Sequence, residues 1–139
     1  MTFDEISSLI RKHEGTVYHL YLDSRGVLTG GVGHAFLLGS ELNPDIVEKL
    51  FYQDLTVAYS DYKVFGFSEK LSGPRKAVII DMLFNLGFSK FIKFERMIDA
   101  INRDDCDEVV KEMLDSRWAS QVGNRAEELA MMYYDNKPL

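Results

Sequence analysis

Cysteine is nearly missing from this chain. Cys106 is the only one in 139 residues, so no internal disulfide can form, and synthesis in a reducing compartment is expected. Flanked by Asp105 and Asp107, it reads as a small helix residue. A Lys/Arg block is also missing: 16 basic residues face 22 acidic ones, for a net charge of -6. Nucleic-acid binding draws most of its affinity from cations that neutralise phosphates, so no nucleic-acid partner is expected. No apolar run approaches the roughly 18 residues of a spanning helix, which argues against stable membrane insertion. The opening Met1-Thr2-Phe3-Asp4-Glu5 is acidic where a secretory signal is cationic. The expectation is synthesis in the cytoplasm without a signal peptide, any target beyond the membrane being reached by another route. Internal repeats and low-complexity linkers are absent too. What remains is 46% hydrophobic, enough for one core divided at most into two lobes, and a single-domain monomer is expected.

The pattern along the chain changes once. Thr2 and Glu5 have capping-box spacing, and Phe3, Ile6, Leu9 and Ile10 recur at helical intervals up to Gly15, so a first helix should end near Glu14. Tyr18, Leu20 and Leu22 then alternate, Asp23-Ser24-Arg25-Gly26 reads as a turn, and residues 27–32 offer short strands. Asn43-Pro44 opens a long helix through Ile46, Val47, Leu50, Phe51, Leu55 and Ala58. Pro74 opens a helix that is apolar nearly all round as far as Gly87, and so buried. Further helices are expected over Phe91 to Ile101, over Val109 to Leu114 and over Ala126 to Tyr133. The order indicates an α+β fold.

The stretch from His13 to His34 carries the chemistry. Glu14 sits at a helix end, where the partial negative charge disfavours the ionised carboxyl, as suits a general acid. Asp23 opens a turn, where an Asp side chain accepts backbone N–H bonds that hold it ionised. Two carboxyls in opposed environments are what glycoside hydrolysis needs, and the Thr29 hydroxyl could hold a water. Gly30, Gly31 and Gly33 let backbone turn sharply or approach a bulky ligand. Taken singly, each residue is ordinary helix-end or hairpin punctuation. The joint spacing, Glu, then Asp nine residues on, then Thr six beyond, raises the functional reading.

Glu14-Gly15, Tyr21-Leu22-Asp23, Gly26, Thr29 and Gly31-Val32-Gly33-His34 resemble the active-site signature of the phage-type lysozymes, a glycoside hydrolase family. Three later blocks follow in register: EKLFYQD from Glu48, MLFNLG from Met82 and SRWASQVGNRA from Ser116. The chain is most similar to the lysozymes of T-even phages. The resemblance implies a lysozyme-like two-lobed fold: a small antiparallel sheet lobe over about 15–42, a long joining helix over about 44–61, and a helical lobe over about 68–139 plus the N-terminal helix. It implies a muramidase that hydrolyses, with inversion, the bond between N-acetylmuramic acid and N-acetylglucosamine in bacterial peptidoglycan. Glu14 would be the general acid, Asp23 the partner carboxylate and Thr29 the residue that places the attacking water. No cofactor or metal is implied. Gly31, Gly33, Asn85, Gln121 and Arg125 would bind substrate, Arg125 matching an arginine that pairs with the glutamate. His34 and Asp54 would form a structural ion pair. An endolysin of this kind acts on the wall after release and needs a holin-type permeabilising partner.

Three departures accompany the resemblance. Gly30 replaces a branched apolar residue, which leaves the strand looser or brings substrate closer. The connection from Ala35 to Asn43 is short, so the first lobe should be small. The acidic charge should slow association with an anionic envelope. A glycan-binding or toxin-associated module on the same fold is the alternative reading, against which all three reacting residues are present. A zinc site at His13-Glu14 and His19 fails on spacing, since zinc-peptidase histidines lie four apart on one helix face.

Overall fold

The structure, a computed structural model, describes residues 1–71 and 73–139. Helix α1 spans Phe3–Glu14. Its start is set by the capping box: Thr2 Oγ1 accepts from the Glu5 N–H at 3.2 Å, and Glu5 Oε2 accepts from the Thr2 N–H at 2.7 Å. Its end is set by Gly15, whose φ of 73° is the left-handed region and whose N–H reaches the Arg11 carbonyl. Strands β1 (Val17–Leu22), β2 (Leu28–Gly31) and β3 (His34–Ala35) form an antiparallel meander in that order. Tyr21 pairs with Thr29 and Leu22 with Leu28, while a bulge between Val17 and Tyr21 shifts the register before Val17 meets Gly31. The apolar alternation of Tyr18, Leu20 and Leu22 locates this strand but does not mark an inward face. Val17 and Tyr21 are its half-buried residues.

Helix α2 spans Pro44–Tyr62, starting at the expected proline. A short 3₁₀ turn over Gly66–Glu69 leads to α3 (Gly73–Leu86), α4 (Phe88–Phe91), α5 (Glu95–Asn102), α6 (Cys106–Leu114), α7 (Arg117–Val122) and α8 (Asn124–Asp135). The class is α+β. The chain divides into two compact units, Met1–Pro44 and Asp45–Leu139.

The second unit holds the hydrophobic core. Phe67, Val78, Ile79, Met82, Phe91, Met97, Val109 and Met113 are fully enclosed there. Helix α3 is the central element, though Phe84 emerges from it, packed edge-on against Phe51 of α2. The single helix expected over Phe91 to Ile101 is instead two, α4 and α5, separated at Ile92–Phe94. The reason is geometric. Six residues apart on one continuous helix, Phe91 and Met97 would point about 120° apart, yet both must enter one core. The break reorients the chain so that Phe91 packs on Phe65, at 5.4 Å between ring centres, while Met97 is buried as well. Truncation of Phe91 to alanine is expected to cost the second unit about 3–5 kcal/mol, seen as a lowered urea midpoint with an unchanged slope.

Candidate active site

The residues read from sequence as reacting groups all lie in the first unit, and two backbone features position them. The first is the peptide of Val27. Asp23 opens a turn closed by the Gly26 N–H on its own carbonyl. Its side-chain Oδ1 accepts from the backbone N–H of Arg25 at 2.8 Å and of Val27 at 2.9 Å. The carbonyl of the same Val27 accepts the Asp23 N–H at 2.9 Å and the Thr29 hydroxyl at 2.8 Å. One residue therefore ties the acid of the turn to the hydroxyl of β2. The Val27 N–H, followed by the Arg25 backbone and guanidinium, holds the Asp23 carboxyl below its ordinary 3.8 despite some opposing desolvation. Because the single hydroxyl proton of Thr29 is committed to a carbonyl, its Oγ1 keeps only lone pairs to offer, as an acceptor on a residue that is itself buried.

The second feature is the Cα of Gly33. In the turn between β2 and β3, Gly33 has a φ of 66°. A Cβ built on it would stand 2.6 Å from Oε2 of Glu14 and 2.9 Å from its carboxyl carbon. The Glu14 carboxyl thus lies directly on glycine backbone, in space any side chain at position 33 would fill. Gly31 also has a positive φ, of 63°, but opens onto empty space, so its role is the turn. Gly30 is different again: it is buried, with Leu20 and Phe36 closing over it at 3.1 and 3.4 Å from the position of a Cβ. Neighbouring side chains have filled its missing volume, and the strand is neither slack nor open to a ligand there. His34 packs edge-on against Phe36 at 4.7 Å between ring centres.

The other candidates, Asp54, Asn85, Gln121 and Arg125, lie in the second unit. Trp118 is buried, and its indole N–H donates to Oδ1 of Asn85 at 2.8 Å. Its role is packing and orientation of that amide. Gln121 lines a cavity of about 710 Å³ with Trp118, Phe94 and several charged residues. Arg125 is held by a residue the sequence reading passed over. Its Nε donates to Oδ1 of Asp81 at 2.9 Å, and its Nη2 approaches the same oxygen at 2.7 Å. The available signal was a lone charge in the otherwise apolar run AVIIDMLF of α3. Val27 left no such signal, because it acts through its peptide. Among the described residues, no three His, Cys, Asp or Glu side chains cluster as metal ligands would, and no helix is long and apolar enough to cross a membrane.

The depressed Asp23 acidity fixes a pH dependence. A carboxyl lowered in the folded state contributes stability that is fully present above its unfolded value near 3.8 and is lost as pH falls through the folded value. Carbon NMR should report Asp23 titrating below the exposed aspartates, and Asp23→Asn should remove that part of the acid-limb dependence.

Comparison with known proteins identifies the family. Residues 11–131 match the phage lysozyme family. The chain is 27% identical over 150 residues to probable T4-type lysozyme 1 of Dictyostelium discoideum, covering 87% of this chain and 88% of that one. Probable T4-type lysozyme 2 of the same organism is 26% identical over 115 residues, covering 77% and 68%. The pre-baseplate central spike protein Gp5 of Enterobacteria phage T4 is 24% identical over 155 residues, across 91% of this chain but 27% of that longer protein. With a family match running through both compact units and through every candidate residue, the chain belongs to the phage lysozyme family.

Proposed function

We propose that this protein is a muramidase that hydrolyses the β-1,4 bond between N-acetylmuramic acid and N-acetylglucosamine in bacterial peptidoglycan, and so lyses bacterial cells. Family membership supports a lysozyme-type glycoside hydrolase. The observation that carries the finer reading is the backbone of Val27, which holds the Asp23 carboxyl low and engages the Thr29 hydroxyl proton, so that Oγ1 can only accept. A water hydrogen-bonded through one O–H to the Asp23 carboxylate and through the other to Thr29 Oγ1 has a lone pair free for the anomeric carbon, and Asp23 takes the first of these protons as the new C–O bond forms. Glu14, seated on Gly33, delivers its proton to the departing sugar oxygen. Water rather than enzyme then attacks, and the product anomer is inverted. Asn85, Gln121 and Arg125 contact the glycan.

Two substitutions test the roles. Glu14→Gln should lower murein hydrolysis by about 10²–10⁴-fold, the usual worth of a general acid, with an unchanged melting temperature. If wild type and variant are equally inactive yet both pellet with cell walls, the chain is a glycan-binding module. Gly33→Ala should cost about 1–3 kcal/mol through its backbone conformation and, by displacing the Glu14 carboxyl, about 100-fold in turnover. Proton NMR of the first product distinguishes inversion from retention.

A further inference from the structure

Asp81 and Arg125 form a half-exposed pair, with side chains 38% and 39% accessible, whose hydrogen-bonding capacity is only partly used. Both guanidinium contacts, Nε and Nη2, fall on one carboxylate oxygen, Oδ1. Among the described residues of the second unit, Oδ2 of Asp81 has no partner. A guanidinium carries five N–H bonds, and within that unit the end of the Arg125 fork, Nη1 with the second Nη2 proton, is likewise unspent. Asn85 lies four residues after Asp81 on α3 and therefore on the same helix face. Its Oδ1 is taken by the Trp118 indole, so its amide protons are what it can still offer. An acceptor, a donor fork and a second donor thus sit along one surface of the second unit with their charges already balanced.

Those groups define a ligand by chemistry. A carboxylate would gain the fork but meet the unneutralised Oδ2, and an ammonium would meet the fork. A neutral sugar satisfies both, one hydroxyl donating to Oδ2 while an adjacent oxygen accepts from Arg125. We infer that Asp81 is a specificity-determining residue that, with Arg125, admits a neutral hydroxyl-bearing amino sugar and rejects a carboxylated one. This rests on the muramidase reading for its biological setting. In a wall glycan that alternates a neutral amino sugar with one bearing an anionic peptide branch, Asp81 would fix which of the two lies over α3.

The substitution that isolates the effect is Asp81→Asn. An amide can keep its oxygen on the Arg125 fork while a donor, Nδ2, replaces Oδ2 and the negative charge disappears. The full-length protein is titrated by NMR with chitotetraose and, separately, with its O-carboxymethylated derivative. The ratio of the two dissociation constants should move by about tenfold toward the carboxylated ligand in Asp81→Asn, the worth of one removed like-charge contact. A merely structural Asp81 would weaken both ligands alike or neither, and an unmoved ratio in the folded variant overturns the inference. Should the variant not fold, the wild-type Arg125 Nε–H resonance decides: it should shift on saturation with chitotetraose, and an unmoved resonance overturns the inference equally. Wild-type murein hydrolysis is followed in parallel. Its absence with a shifted ratio counts against the muramidase reading alone, and its presence with an unmoved ratio counts against Asp81 alone.

Discussion

The placement of a carboxyl group on bare backbone is the constraint on which the candidate site of the first unit depends. Glu14 is the last residue of α1 because Gly15 takes a left-handed conformation immediately after it. Its carboxyl comes to rest where a side chain at position 33 would have to be. Helix end and hairpin turn are thereby brought side by side, although they are separated by the whole of β1 and β2. A glutamate on an exposed helix end ordinarily samples several rotamers at little cost. Here, one face of the carboxyl lies against a Cα, and a glycine in the turn leaves it the room. The density of glycine in this stretch is thus not uniform in meaning. Gly33 makes room for an acid, Gly31 makes a turn, and Gly30 accommodates Leu20 and Phe36.

The first unit relies on such devices because it has little interior. Among its described residues, only Thr29 and Gly30 are buried, and a segment of this length cannot close a large core of its own. Its geometry is instead carried by directed hydrogen bonds: the capping box of α1, the turn at Asp23, and the three bonds that converge on the Val27 peptide. The same bonds that shape the turn ionise the acid and orient the hydroxyl. Structure and chemistry are therefore not separable at this site, and a change to the turn is a change to the proton inventory. The second unit works in the opposite way, with its aromatic and methionine core providing rigidity and its surface providing polar groups.

Much of this was legible in the amino-acid sequence wherever one residue type has one dominant local use. Thr2 with Glu5, Gly15 after Glu14, Asp23 before Gly26 and Pro44 after Asn43 each mark a boundary that the structure reproduces. Helical periodicity located α6 and α8. It failed between Phe91 and Ile101 because periodicity reports apolar spacing, whereas the break is imposed by where the core lies in three dimensions. The short α7 escaped notice for a related reason. Its start depends on the Ser116 hydroxyl accepting the Ala119 N–H, and six residues are too few to show a period. Glu14, Asp23 and Thr29 stand out by their spacing, whereas their surroundings do not. Val27 acts through peptide atoms every residue possesses, and the contact between Glu14 and Gly33 joins positions nineteen residues apart.

The resemblance to other phage-type lysozymes also determines which differences matter. At Gly30 the difference is absorbed locally, since Leu20 and Phe36 occupy the vacated volume and the hydrogen-bonded register of β2 with β3 is kept. The pairing of Asp81 with Arg125 has a wider consequence. A carboxylate facing Arg125 neutralises a cation on a chain that is already acidic overall, so long-range attraction to an anionic envelope is weakened further. On the proposed muramidase reading, recognition would then come from short-range, directed contacts with neutral groups, which are insensitive to net charge and demand close fit. An acidic composition and a glycan target are compatible on those terms, because the polar capacity left open on α3 and Arg125 is the kind that a sugar, rather than an ion, can fill.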